Sequence, residues 1–114
     1  MERLEVKRGD IVLAVVPNEL GKPRPGVVVQ ADEFNKDLST IFICPISSDV
    51  QERLPLRPTI EANASNGLRL PSQIMTDKMV PLRRDRIRRV IGHLDSETSL
   101  KLDRALLVVL GLAR

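Results

Sequence analysis

The chain reads as a mainly-β protein, a small and strongly curved antiparallel sheet or barrel with a short inserted helical turn and one C-terminal helix. Three observations predict this. Short apolar runs bounded by Pro, Gly and polar clusters have the length and composition of strands. No regular strand–helix–strand alternation separates them, which argues against a parallel sheet. Only the last segment carries helical periodicity. The 114 residues leave room for one domain, 1–114, with a modest core.

The first strand is expected over Gly9 to Val16, where Ile11, Leu13 and Val15 alternate with their neighbours. Pro17 to Pro23 is a polar loop rich in breakers. Pro25 to Gln30 is a continuous apolar strand, buried on both faces. Ala31 to Lys36 forms a helical turn with Asp32 as its cap. Thr40 to Ile46 is the third strand, and Pro45 puts its end at an edge or bulge. A polar loop, Ser48 to Arg53, leads to a fourth strand over Leu54 to Glu61. The turn-rich stretch Ala62 to Gly67 leads to a fifth over Ser72 to Val80. After the charged turn Arg83 to Arg86 comes a sixth strand, Arg89 to Leu94. The closing helix is capped by Asp95 or Ser96. It presents Leu102, Ala105, Leu106, Val109 and Leu110 on one face and stops at Gly111.

Composition narrows the function classes. No apolar run is long enough to cross a bilayer, and the opening residues Met1 to Lys7 lack the apolar stretch of a signal peptide, so cytoplasmic residence is expected. Cys44 is the only cysteine and lies among Ile41, Phe42, Ile43 and Ile46, where a small buried side chain is expected rather than a nucleophile. One Cys and one His cannot supply the usual ligands of a zinc site, and no metal or cofactor is expected. The net charge of +3 and pI near 9.5 favour an acidic partner: nucleic acid, an acidic protein, or both in turn. Phe34 and Phe42 are the only aromatics, so a bound RNA must be gripped mainly by backbone groups, arginines and hydroxyls.

Two passages carry candidate chemistry. In Gly21-Lys22-Pro23-Arg24-Pro25-Gly26-Val27-Val28-Val29, an arginine stands between two prolines that fix the backbone on either side. In Thr40-Ile41-Phe42-Ile43-Cys44-Pro45-Ile46-Ser47-Ser48, an apolar strand runs into paired hydroxyls. Cleaving RNA with its own 2′-hydroxyl needs a proton acceptor, stabilisation of charge on the phosphate, and protonation of the leaving 5′-oxygen. Arg24 suits the second task, because its planar fork binds two phosphate oxygens and stays charged. That permanence makes it a poor base. Ser47 and Ser48 offer donors and acceptors for a phosphate or a 2′-oxygen, and a turn-capping role is the plain alternative. Asp77 interrupts Ile74 to Val80 and asks for a partner; it either accepts the 2′ proton or pairs with Arg24 and holds its fork. Lys22, Ser48 and Lys78 flank these three as RNA-binding candidates. His93, the only histidine, reads as structural, and the Arg83 to Arg89 cluster as a solvated turn and edge strand.

Read in order, these passages resemble the MazF/PemK (Kid) family of toxin endoribonucleases. The likeness begins with Arg8-Gly9-Asp10-Ile11-Val12 and continues through Arg24-Pro25, Phe34-Asn35, Cys44-Pro45-Ile46-Ser47, Gly67-Leu68, Pro71-Ser72, Asp77 and Ile91-Gly92-His93-Leu94. It closes with Leu102-Asp103-Arg104-Ala105-Leu106 and Val109-Leu110-Gly111-Leu112. It implies an SH3-like barrel, a homodimer, and metal-independent cleavage of single-stranded RNA at short sequences, leaving a 2′,3′-cyclic phosphate and a 5′-hydroxyl. It also implies a cognate antitoxin whose disordered acidic tail occupies the RNA groove. Within it Arg24, Ser47 and Asp77 match functional positions. Two departures stand out. Pro23 replaces the first of the two arginines usual before the proline. Met75 stands where some members carry a catalytic arginine two residues before the aspartate, which questions an Arg–Asp pair here and places more weight on Arg24. The rivals are a CcdB-like toxin that binds gyrase without catalysis, disfavoured by the lack of any Trp, and a catalytically silent family member.

Overall fold

A computed structural model describes residues 4–17, 20–51 and 56–113. In chain order the elements are β1 (Asp10–Val15), β2 (Pro23–Val28), α1 (Asp32–Asn35), β3 (Thr40–Ser47), β4 (Thr59–Ile60), β5 (Ser72–Ile74), β6 (Val80–Arg83), β7 (Ile87–His93) and α2 (Ser96–Val109). Short 3₁₀ turns, Thr76–Lys78 and Arg84–Arg86, precede β6 and β7. The strands form one antiparallel seven-stranded sheet in the order β4-β5-β3-β2-β1-β7, with β6 also on β3. It curls into a half-barrel, as the mainly-β reading expects. Part of the curl comes from two register slips where β7 pairs with β1, one between Ile11 and Val12 and one between Leu13 and Ala14.

Alternation along the strands sorts side chains into two cores. Ile11, Val27, Cys44, Ile46 and Ile74 pack with Leu102 and Leu106 of α2. Val12, Ala14, Val28, Ile41, Ile43, Leu82 and Ile87 form the second cluster, on the other face. Each fully buried Leu or Ile stabilises by about 1.5–3 kcal/mol, which is what commits the register. In α2 it is Asp95 that caps, its carboxylate accepting from the Thr98 N–H at 2.7 Å. Gly111 at φ +74° closes the helix. Its N–H donates to Val108 O, and the Leu112 N–H donates to Leu107 O, the paired bonds of a Schellman stop.

The structure changes several expected elements. The second strand begins at Pro23, so Arg24 lies inside β2. The fourth strand is only Thr59–Ile60, and its expected start at Leu54 lies outside the described residues. Ala31, not Asp32, occupies the N-cap of α1. The Asp32 carboxylate instead accepts the Arg8 backbone N–H at 2.6 Å. The expected fifth strand is broken for a geometric reason. From Ile46 to Ile43, β3 advances three residues while its antiparallel partner advances six, from Ile74 to Val80. The extra residues form the 3₁₀ turn Thr76–Lys78, which lifts Asp77 out of the sheet.

Candidate RNA-cleavage site

Strand registers place the two chemistry-bearing passages side by side. Gly26 faces Pro45 and Val27 faces Cys44. Carried two residues further in the same register, Arg24 stands opposite Ser47. Ser47 in turn faces Gln73 of β5, and Gln73 faces Thr59 of β4. Facing residues share a face of the sheet, so Arg24, Ser47, Gln73 and Thr59 form one polar row across four strands. On the β1 side the row continues through Ala14 to Ile87, where the second core ends. Arg24 is exposed and Ser47 half-buried, so the row opens to solvent. Proline explains why the ladders thin out here: Pro25 and Pro45 lack the N–H that would extend them.

Ser47 does serve its turn, its hydroxyl oxygen accepting the Asp49 N–H at 3.1 Å. Among the described residues nothing accepts the hydroxyl proton, which leaves it for donation to a phosphate or a 2′-oxygen. Ser48 is exposed one residue further on, Lys22 is exposed just ahead of β2, and Lys78 is exposed at the end of its 3₁₀ turn.

Asp77 takes a partner the sequence reading did not anticipate. Both carboxylate oxygens accept from Arg57, one from Nε and one from Nη2, each at 2.9 Å. The Arg57 hydrogen bond holds the Asp77 carboxyl below its ordinary range. Asp77 therefore anchors Arg57 rather than Arg24. Register again explains the meeting. The Ile74 N–H donates to Pro58 O at 2.9 Å, continuing the β4–β5 pairing past Pro58 and bringing Arg57 opposite Met75. The arginine that pairs with Asp77 is contributed from across the strand. Twenty residues separate the partners in sequence, and no local pattern links them.

Gln73 also went unnoticed in the sequence. It is 4% exposed. Its amide oxygen accepts the Gln51 N–H at 2.9 Å and its amide nitrogen donates to Gln51 O at 2.8 Å. The side chain thus acts as a surrogate peptide group that fastens Gln51 to β5. The Thr76 hydroxyl donates to Leu56 O, ahead of β4.

Other candidates lie away from the row. Cys44 is fully buried, and burial pushes its thiol up to about 12. It is chemically inert at neutral pH. His93 faces Asp10, at the opposite end of β1 from the Ala14 that faces Arg24. Its backbone N–H donates to Ser65 O at 3.0 Å, and its side chain is exposed. Within the basic cluster, Arg84 Nε donates to Leu38 O at 3.1 Å, and Arg83 faces Thr40, at the far end of β3 from Ser47. The Arg8-Gly9-Asp10 opening is structural too. Arg8 Nε donates to Val29 O at 2.9 Å and its guanidinium lies 2.9 Å from Asp103 of α2, which ties the first strand to the helix.

A curled sheet with an exposed arginine opposite a strand-end hydroxyl offers the donors that binding a phosphate requires, on a small barrel-type scaffold. Known proteins share this scaffold. Residues 7–110 match the family described as the PemK-like, MazF-like toxin of type II toxin-antitoxin system. The chain is 36% identical over 109 residues to the probable endoribonuclease MazF of Mycolicibacterium smegmatis, covering 95% of this chain and 99% of that protein. It is 34% identical over 112 residues to endoribonuclease EndoA of Bacillus subtilis, covering 94% and 96%. The Mycobacterium tuberculosis toxin MazF-mt6 has the same fold, with a TM-score of 0.80 at 23% identity over 92% of this chain and 99% of that one. The chain belongs to the PemK/MazF toxin family.

Proposed function

We propose that this protein is a sequence-specific endoribonuclease toxin that cleaves single-stranded RNA by attack of the RNA's own 2′-hydroxyl. The observation that carries this reading is the register that sets Arg24 opposite Ser47 at the open end of the polar row. The 2′-oxygen bonds to phosphorus as the bond from phosphorus to the 5′-oxygen breaks. The 2′ proton leaves to an acceptor, and the 5′-oxygen gains one. The products are a 2′,3′-cyclic phosphate and a 5′-hydroxyl. Arg24 stabilises the charge that builds on the phosphoryl oxygens. Ser47 orients a phosphate or the 2′-oxygen through its free hydroxyl proton. Asp77, gripped at both oxygens and held low, is a weak base, and its part is to orient Arg57. Lys22, Ser48 and Lys78 extend the RNA contact.

The nucleophile comes from the substrate, and among the described residues no three of His, Cys, Asp and Glu converge on a cation site. Metal-independent cleavage, a homodimer, cytoplasmic action and an acidic cognate antitoxin that competes for the RNA surface are part of the proposal, the last in keeping with the pI near 9.5. The test is incubation of the purified protein with mixed RNA in EDTA, followed by analysis of the new ends. Cleavage giving cyclic phosphate and 5′-hydroxyl ends is expected. Intact RNA under conditions where the protein is folded would leave the gyrase-binding or silent readings instead. Activity lost in EDTA and restored by magnesium, with RNA folding controlled, would overturn the metal-independent mechanism.

A further inference from the structure

We propose that Arg57 is a second RNA-binding guanidinium of this site, one that holds a phosphate neighbouring the phosphate at Arg24. The inference rests on the reading of the Arg24–Ser47 row as the cleavage site. Facing positions and strand alternation put Arg57 on the same sheet face as that row, because it lies two residues before Thr59 in a segment still paired with β5. β3 and β5 lie between it and β2. Three inter-strand spacings of about 4.8 Å, with an offset of two residues along the strands, put the two arginine backbones about 16 Å apart on either side of β3. With Arg57 held by Asp77 on the β5 side and Arg24 on the β2 side, an RNA strand crossing β3 meets a cation on either side.

The geometry of the ion pair favours recognition over mere fastening. Asp77 uses only Nε and Nη2 of the guanidinium. Nη1, with its two N–H groups, makes no hydrogen bond among the described residues and can take a phosphate oxygen. The pair is partly exposed, 14% at the Arg57 side chain and 31% at Asp77, and fastening to β5 and its following turn is also supplied by Gln73 to Gln51 and Thr76 to Leu56. A two-pronged clamp does something those bonds do not, which is to fix the plane of a permanently charged fork. Among the described residues, the charged groups acting on Arg57 are Asp77 and Asp49, with Lys78 beside Asp77.

The experiment measures binding of a mixed-sequence, 2′-O-methylated single-stranded RNA, which cannot be cleaved, between about 50 and 200 mM salt. Arg57→Ala should weaken binding severalfold and reduce the slope of log affinity against log salt by about 0.7, the loss of one phosphate contact on a single strand. Arg57→Lys should keep most of the slope. With a cleavable RNA, Arg57→Ala should raise KM more than it lowers kcat. Should Arg57→Ala fail to fold, Arg57→Gln removes the charge, keeps a donor for Asp77, and reads the same slope. An unchanged slope and affinity in a folded Arg57 variant, with Arg24→Ala lowering both, would overturn this inference alone. Absence of salt-dependent binding by the unaltered protein would overturn the site reading beneath it.

Discussion

Arg24, in the proposed mechanism, is a single side chain prepared for a phosphate. Pro23 and Pro25 restrict its backbone, and pairing with Ala14 fixes which face it takes. A donor held in place this way costs no reorganisation when charge develops. Arg24→Ala should therefore cut the cleavage rate by about 10²–10³ in a protein that remains folded. Arg24→Lys should recover part of that, since an ammonium keeps the charge and loses the two-pronged grip. Ser47→Ala should cost less, because it removes one orienting hydroxyl and no charge. Full activity in folded Arg24→Ala would place the active site elsewhere. Asp77 carries a separate prediction. Its folded pKa lies below the ordinary value of 3.8, so the pair's stabilisation is complete above that pH and is lost as pH falls through the folded value. Urea unfolding should show Asp77→Asn less stable than the parent at pH 7, with the gap closing at pH below about 4. A gap independent of pH would mean that the carboxylate charge contributes nothing. In cleavage, Asp77→Asn should lose activity only mildly, because an amide oxygen still accepts one Arg57 bond; a severe loss would make Asp77 the proton acceptor.

At the scale of elements, close backbone approach decides where the loops can lie. Gly67, at φ +72°, and Gly92 let the 62–68 segment press onto β7. A Cβ at Gly92 would overlap the Ser65 carbonyl and the Asn66 backbone, which cannot swing aside as a flexible side chain does. Buried Asn66 then fixes the segment, donating to Glu61 O at 2.7 Å and accepting the Leu68 N–H at 3.0 Å. Gly92→Ala should destabilise by about 1–3 kcal/mol, read as a Tm lower by several degrees, with no specific effect on RNA cleavage. An unchanged Tm would mean that the segment shifts at no cost. These two glycines belong to motifs visible in the sequence, and so do the Asp95 cap and the Leu102–Leu106 face. Strong local patterns of this kind reach the eye without a structure. The pairing Asp77 finds does not, because it depends on a three-residue slip along β3 that two separate ladders impose. Gln73 was hidden for a similar reason: inside a short strand a glutamine reads as an outward polar residue, and only the Gln51 backbone lying over it makes it a buried clasp. Arg24 and Ser47 were legible as residue types at strand ends, and their facing one another was legible only from register.

On the whole-molecule scale, apolar surface remains after the two cores are filled. Phe42 on β3 is 42% exposed, and Leu107, Leu110 and Leu112 at the end of α2 are 43%, 53% and 72% exposed. They line one groove of about 430 Å³ with Met79 and Leu106. A chain this small gains core by association, and an isologous contact between two copies buries the same patch twice. Sedimentation at micromolar concentration should therefore show a dimer, and Leu110→Glu should shift it towards monomer while leaving the α2 core face intact. A monomer throughout would sink the homodimer. The antitoxin prediction follows from charge at the same scale. The basic surface offers Arg24, Lys22 and Lys78 around the open row, and a disordered acidic segment that folds onto it would cover the cations RNA needs. Competition is then unavoidable: with the purified acidic antitoxin added at saturation, 2′-O-methylated RNA should be displaced and cleavage blocked, and both effects should weaken as salt screens the charges. Arg24→Ala should loosen the grip on antitoxin and RNA alike. A ternary complex holding RNA and antitoxin together would show that the two partners occupy separate surfaces, and inhibition would then have to act through a change of shape.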